Sequence, residues 1–169
     1  MCKYEGKKLS RSEKWGTKVK IRLVFQLEEV NPETKRRFQV QVFFGQSMFK
    51  GKSGMSNLRK YVESWRGRAF SEQDEIHWLT EPFDTVVLLD RGAQIQVNHT
   101  IQNGGQVYAN VVAIVPLPKG MQDPPFQPEF YPGEMERWAA DTKEAEDFEA
   151  SEIKRLKPKY NTQGKSYGW

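Results

Sequence analysis

Hydrophobic and polar residues alternate along two stretches in the first third of the chain. In residues 18–30 and again in residues 37–49, every second residue is apolar over most of the stretch, beginning at Val19 and at Phe38. Such alternation is typical of a β-strand with one buried face. Residues 31–34, between the two stretches, contain Asn and Pro and are typical of a turn. The pattern therefore predicts an antiparallel hairpin.

A helical period follows this hairpin. Four apolar residues have the spacing of one helix face: Met55, Leu58, Val62 and Trp65. They predict a helix over residues 56–66 that ends at Gly67. Residues 70–92 then predict a loop with a short acidic helical turn near residues 71–74.

Two further strands complete the apolar pattern. Alternation over residues 93–99 and 107–115 predicts a second hairpin, with an Asn-Gly type of turn at residues 102–105. Pro116 and Pro118 end the last strand, because proline cannot donate to a strand ladder.

The two ends of the chain differ from this central part. Residues 1–15 are polar and charged, so either a polar edge strand lies around residues 2–9 or the chain lacks that strand. Residues 122–133 contain four prolines, which is typical of an extended linker. Residues 134–156 are acidic and compatible with a helix, and the basic, polar residues 157–169 predict disorder.

The predicted order of elements is strand, strand, helix, strand, strand. An OB-fold is a small, partly open barrel of five strands, with a helix between the third and fourth. We therefore predict a mainly β protein with an OB-like small β-barrel, either with a polar first strand or without it. The nucleic-acid-binding domain would span residues 13–121, and residues 122–169 would form a linker and a charged, partly helical and partly disordered tail.

The composition limits the alternatives. The 169 residues are enough for one core. No apolar run approaches the ~18 residues of a membrane span, and the basic N-terminal segment lacks the apolar stretch of a signal peptide. A single cysteine, Cys2, excludes an internal disulfide. We expect a soluble, cytoplasmic protein that does not bind membranes.

The net charge of +4 hides a strong asymmetry along the chain. Residues 1–70 contain 17 Lys and Arg against 6 Asp and Glu, a net charge of +11, whereas residues 71–169 contain 9 against 16, a net charge of −7. Within the second part, residues 123–152 contain 2 against 10, a net charge of −8. A basic half is typical of proteins that bind polyanions. The alternative is that the basic and acidic segments pair within one molecule.

The polar faces of the predicted strands are basic and rich in amides. Alternation groups Lys18, Lys20 and Arg22 on one strand, Arg37, Gln39, Gln41 and Phe43 on the next, Gln94, Gln96 and Asn98 on the third, and Tyr108 and Asn110 on the fourth. These faces carry no acidic residue. In a groove for single-stranded nucleic acid, cations contact phosphates, rings stack on bases and amides bond base edges. The alternative is an ordinary solvated sheet face.

These faces supply the candidate binding residues. We expect Lys18, Lys20, Arg22 and Arg37 to bind phosphates, Trp15, Phe43 and Tyr108 to stack on bases, and Gln94, Gln96 and Asn110 to contact base edges.

Catalytic patterns are absent from the sequence. Residues 51–53 lack the upstream glycine spacing of a phosphate-binding loop, and His77 and His99 lie far apart. The carboxylates of residues 70–92 do not have the spacing of metal ligands, which disfavours a metal-dependent nuclease. We therefore predict a non-enzymatic protein with no catalytic residue, metal or cofactor.

Three blocks of the sequence resemble a known family. Residues 58–70 (LRKYVESWRGRAF), and residues 105–111 (GQVYANV) with residues 116–121 (PLPKGM), are similar to blocks in small proteins of tailed phages and prophages. These proteins resemble phage replication accessories that bind single-stranded DNA through an OB-like barrel. The resemblance covers residues 13–121.

The resemblance implies sequence-tolerant binding of single-stranded DNA during phage replication or recombination in the host cytoplasm. Phage replication or recombination proteins are the further partners that it implies. The alternative is a non-enzymatic phage interaction module that recruits a replication or host factor. On the first interpretation, the acidic residues 134–152 compete with DNA for the basic face or recruit a replication protein.

Overall fold

The computed structural model describes residues 1–51, 54–101, 104–121 and 128–161, the last range with side chains as far as Arg155. In chain order the elements are β1 (Cys2–Ser12), β2 (Gly16–Val30), β3 (Arg37–Gly45), β4 (Lys50–Gly51), β5 (Gly54–Met55), α1 (Asn57–Arg66), α2 (Glu72–His77), a 3₁₀ helix (Thr85–Leu88), β6 (Gln94–Ile101), β7 (Val107–Val115) and α3 (Glu134–Asn161).

β2 and β3 form the first predicted hairpin. They pair antiparallel, and Asn31 closes the turn between them. The Asn31 side-chain oxygen accepts hydrogen bonds from the backbone N–H groups of Glu33 (2.8 Å) and Thr34 (3.1 Å), a bonding pattern that favours turns over strand continuation. The hairpin is confirmed, although β3 ends at Gly45, four residues before the end of the predicted stretch.

β1 is the polar edge strand, one of the two alternatives that the sequence allows for the N-terminus. It pairs antiparallel with β2, so the sheet order is β1–β2–β3. Its first residue is also held by the 90–91 segment: Cys2 N donates to Arg91 O (3.1 Å), and Asp90 N donates to Cys2 O (2.9 Å). The sheet therefore extends beyond the predicted domain boundary at residue 13.

α1 packs its predicted apolar face into the core. The buried apolar residues are Leu58, Val62 and Trp65. The helix begins after Ser56, whose hydroxyl accepts a hydrogen bond from the Arg59 N–H (3.2 Å). It ends at Gly67, which adopts φ 70°, a left-handed conformation that glycine takes without steric cost. The sequence prediction of this helix is confirmed.

β6 and β7 form the second predicted hairpin, as a separate two-stranded sheet. Their inner side chains join the same core as the inner face of β2 and β3: Ile95, Val97, Val111 and Ile114. β7 also contacts α1 and β3. The mainly β class with antiparallel sheets is thus confirmed, and within the described ranges the sheets do not close into a barrel. Residues 102 and 103 of the predicted turn lie outside the described residues.

The segment between α1 and β6 carries a small aromatic cluster. Phe70, Trp78 and Phe83 pack edge to face, with ring centres 4.7 to 5.9 Å apart. α2, the predicted acidic turn, begins after Ser71, whose side chain and backbone exchange hydrogen bonds with Asp74. Trp78 is therefore a core residue.

One sequence prediction is wrong. Phe38, predicted to face the core, is 42 % exposed, because the elements that cover β3 bury this strand only from Val40 onward. The disorder predicted for residues 157–169 stays a prediction, although the helix α3 is assigned as far as Asn161. The acidic helix itself is confirmed, while residues 122–127 and 162–169 lie outside the described part.

Gly6 on β1 permits the close approach of α3. A Cβ atom at this position would lie 2.5 Å from the Tyr4 hydroxyl and 2.7 Å from the Thr142 hydroxyl. These two groups are hydrogen-bonded to each other (3.1 Å), so neither moves freely. We expect Gly6→Ala to lower the free energy of unfolding by about 2 kcal/mol through overpacking, measured by urea denaturation followed by circular dichroism. Gly45→Ala is the control, because the methyl group added there would have nothing within 4 Å, and an equal loss in both variants would contradict the close-approach argument.

Candidate nucleic-acid interface

α3 lies across the outer face of the three-stranded sheet, which is part of the face predicted to bind nucleic acid. Trp138 of α3 is 1 % exposed, and its ring centre lies 4.6 Å from that of Tyr4 on β1. Val24 and Phe25 are neighbours on β2 and point to opposite faces, yet both are fully buried. The middle of β2 is therefore covered on both sides, by the apolar core and by α3.

Ion pairs join the basic sheet to the acidic helix. They are Lys3–Glu134 (3.2 Å), Lys7–Glu149 (2.8 Å), Lys8–Asp141 (4.0 Å), Arg11–Glu144 (2.5 Å) and Arg22–Asp141. Most of the basic partners come from β1, the strand that alternation did not predict firmly. At these residues the basic and acidic segments of the chain pair with each other within one molecule. This pairing is the alternative to polyanion binding that the charge pattern left open.

Arg22 is at the centre of this contact and is not on the surface. Its side chain is 2 % exposed and donates to Asp141, and its guanidinium carbon lies 5.7 Å from the ring centre of Phe43. Two of its nitrogens, Nε and Nη1, have no hydrogen-bond partner among the described residues. The phosphate-binding role predicted for Arg22 therefore requires α3 to leave the sheet.

Lys3 and Glu134 form the most enclosed of the pairs, with side chains 0 % and 9 % exposed. Three rings surround the Lys3 ammonium, with centres 5.0 to 5.4 Å away: Phe130, Tyr131 and Trp138. Burial raises the pKa of the Glu134 carboxyl, but hydrogen bonds from the Tyr131 N–H, Gln39 and Lys3 outweigh it and hold that pKa below its usual 4.5. Burial lowers the pKa of Lys3. This pair anchors the first turn of α3 to β1.

The end of the sheet near the β1–β2 connection has an exposed aromatic ring between two cations. Trp15 is 65 % exposed. The ammonium groups of Lys14 and Lys18 lie 5.0 and 5.7 Å from its ring centre, within the range of a cation–π contact. Neither lysine forms an ion pair with a described residue, so both are available to an anion.

The same face continues from Lys18 to a second aromatic residue. Lys20 is opposite Lys8 on β1, and these two lysines help to line a shallow pocket of about 230 Å³ beside Phe43. Phe43 is 41 % exposed, and the Lys8 ammonium lies 5.9 Å from its ring centre. We call this surface the exposed basic end; its residues are Lys8, Lys14, Trp15, Lys18, Lys20 and Phe43.

The remaining predicted residues lie elsewhere. Arg37 is at the opposite end of β3, where its guanidinium donates to the Glu28 carbonyl. Four lie on the outer, exposed face of the β6–β7 hairpin: Gln94, Gln96, Tyr108 and Asn110. The structure thus brings together Trp15, Lys18, Lys20 and Phe43, and separates them from Arg37 and from the hairpin group.

Lys8 and Lys14 belong to the exposed basic end but were not predicted as site residues. Lys14 is next to Trp15, and Lys8 enters the site only through its pairing with Lys20. The missing signal was the register of β1, which cannot be obtained while the strand itself is in doubt.

Comparisons of the chain with family models, with curated proteins and with solved structures give no match. The resemblance to phage proteins therefore stays a prediction. Within the described ranges, His, Cys, Asp and Glu side chains do not come together in groups of three or more that would hold a metal ion. Nor does the described part contain a helix of the length and apolarity that crossing a membrane requires.

We expect substitution of Asp141 to destabilise the fold more than substitution of its partner Arg22. Asp141→Asn leaves the Arg22 charge buried and uncompensated, so we expect the free energy of unfolding to fall by about 3 kcal/mol. Arg22→Met removes the charge and its two unpaired nitrogens but keeps apolar volume, so we expect a loss below about 1 kcal/mol. Urea denaturation of both variants measures the difference. Equal losses, or a larger loss for Arg22→Met, would show that the pair itself stabilises the fold.

Proposed function

We propose that this protein binds single-stranded DNA with little sequence preference, through the exposed basic end. The observation that carries the proposal is Trp15, a largely exposed ring held between the ammonium groups of Lys14 and Lys18. A base stacks on such a ring, and each stacked base contributes about 1–3 kcal/mol regardless of its identity. The lysines contact the adjacent phosphates.

The spacing along β2 supports an extended strand as the ligand. Lys18 and Lys20 are two residues apart on one face, which places their Cα atoms about 6.6 Å apart. Phe43, on the neighbouring strand, offers a second exposed ring beyond Lys20. The residues thus follow one another as Trp15, Lys18, Lys20 and Phe43, two cations between two rings. This order suits a single strand better than a duplex, because the bases of a single strand are free to stack.

We also propose that the strand order represents an OB-like arrangement. Three long strands, β1 to β3, precede α1, with the two-residue strands β4 and β5 between β3 and the helix, and two long strands follow the loop after α1. Counting the long strands alone, the helix lies between the third and the fourth, as in an OB-fold. In such an arrangement the outer face of β6–β7, with Gln94, Gln96, Tyr108 and Asn110, is a secondary contact for DNA. The resemblance of residues 58–70, 105–111 and 116–121 to phage proteins supports a role in phage replication or recombination.

α3 gives the proposed DNA site a competitor within the same chain. Its carboxylates pair with Lys7, Lys8 and Arg11 of β1, so they occupy one cation of the exposed basic end, Lys8, and two others on the same strand. A DNA strand that extends past Lys20 toward Arg22 meets α3. We propose that the acidic helix limits the DNA site to the exposed end and weakens binding there by charge repulsion.

Fluorescence anisotropy with a labelled oligo(dT) of about 30 nucleotides tests the proposal. We expect Trp15→Ala to lower the affinity about tenfold, because one stacked base is lost, and Trp15→Phe to retain most of it. Replacing both Lys18 and Lys20 with alanine should reduce the slope of log affinity against log salt by about 1.4, or about 0.7 for each phosphate contact. The control is Lys60→Ala, which removes an exposed charge on α1. Wild-type affinity and salt dependence in the Trp15 and lysine variants would overturn the proposed site.

A charge-matched pair of variants tests the competition by α3. Glu144→Gln with Glu149→Gln removes two carboxylates that pair with β1, whereas Glu146→Gln with Asp147→Asn removes two that face solvent. Both change the net charge by the same amount. We expect the first pair to raise the affinity for oligo(dT) about threefold more than the second, because only the first frees cations on the sheet. An equal rise in both would mean that α3 acts only through net charge.

A further inference from the structure

A second surface, remote in sequence from the exposed basic end, forms an apolar pocket of about 490 Å³. It lies where the C-terminal end of α1, the 3₁₀ helix and the segment after β7 meet. The walls are aromatic and aliphatic side chains, among them Trp65, Phe70, Phe83, Leu88, Pro116 and Leu117. Trp65 is fixed in place because its indole N–H donates to the Gly92 carbonyl (2.8 Å). One wall of the pocket is therefore fixed by a hydrogen bond to the backbone.

Two arginines, Arg66 and Arg91, line the pocket together with these apolar groups. The Arg66 guanidinium is stacked on the Phe70 ring, 3.9 Å from its centre, so it is held at the pocket. Neither arginine forms an ion pair with a residue in the described ranges. Two carboxylates near Arg66 in sequence have hydrogen-bond partners of their own: Glu63 accepts from Arg59 (2.8 Å), and Asp74 accepts from Ser71 (2.8 Å).

Exposed apolar residues extend the pocket surface outward. Val86 and Val87 of the 3₁₀ helix are 53 % and 55 % exposed, and Val87 is also part of the lining. A concave apolar site with convergent charged groups is the usual form of a specific binding site. Apolar walls with two cations are complementary to a ligand that carries both apolar side chains and carboxylates.

We propose that this pocket binds a short acidic segment of a partner protein that bears apolar side chains. The apolar side chains would fill the space between Trp65 and Leu117, and the flanking carboxylates would pair with Arg66 and Arg91. Single-stranded DNA fits the pocket less well, because the rings here are packed edge to face or covered, which leaves no open ring face for a base. Arg66 lies over Phe70, and Trp65 is only 7 % exposed. The inference does not depend on DNA binding at the exposed basic end.

Anisotropy with a fluorescein-labelled probe peptide tests the proposal. The probe has a central Phe-Leu pair with two glutamates on each side, and two comparison peptides replace the glutamates with glutamines or the Phe-Leu pair with Ala-Ala. We expect saturable binding of the first peptide and at least about fivefold weaker binding of both others. Equal affinity for all three peptides, or no saturable binding of the first, would overturn the proposal.

Variants locate the binding on the protein. We expect Arg66→Gln with Arg91→Gln to weaken peptide binding about fivefold, and Arg66→Lys with Arg91→Lys to restore most of it. Val87→Asp introduces a charge at an exposed position and should weaken binding about tenfold without unfolding the chain, which thermal unfolding checks. Arg68→Gln is the matched control, because Arg68 is on the same loop but does not line the pocket. If the two arginine substitutions weaken oligo(dT) binding and leave the peptide unaffected, the pocket is a nucleic-acid site and the proposal is wrong.

Discussion

The contact between the acidic helix α3 and the basic sheet determines how the rest of this molecule is arranged. A strand with charged residues on one face is stable in the middle of a sheet only if that face is solvated or its charges are paired. Here Arg22 is buried against Asp141, and Lys3 is enclosed by Glu134 and three rings. The helix therefore converts a basic outer face into a second, mixed core. β1, polar over most of its length, is held in the sheet by the same contact.

This contact also divides the surface by function. Trp15 and Lys18 stay exposed beside α3 rather than beneath it, and Lys18 lines a pocket together with Phe148 and Glu149 of that helix. It is at this end of the sheet that we propose DNA binding. The apolar pocket lies at the end of α1, on different elements of the chain. A protein with these two surfaces would hold a single strand at one and an acidic segment of a partner at the other, which combines the two functional interpretations that the sequence left as alternatives.

Local patterns predicted the elements well, because each is determined by residues close in sequence. The β2–β3 hairpin follows from alternation and Asn31, and α1 follows from its apolar stripe between Ser56 and Gly67. The exposure of Phe38 was missed, since burial at a strand end depends on what packs there. Among the site residues, Trp15, Lys18, Lys20 and Phe43 share a surface, whereas Lys8 could not be predicted without the register of β1.

The sequence by itself determined the two hairpins, the helix α1 and the separation of charge along the chain, because periodicity and composition are local properties. Only the tertiary structure decided which charges meet. Arg22 and Lys20 belong to the same alternating face and look equivalent in the sequence, yet one is buried under Asp141 and the other lines an open pocket. The partner of Arg22 is more than a hundred residues away, so no local pattern distinguishes the two. The position of α3 distinguishes Arg22 from Lys20, because burial of a charge depends on which distant group comes to lie over it.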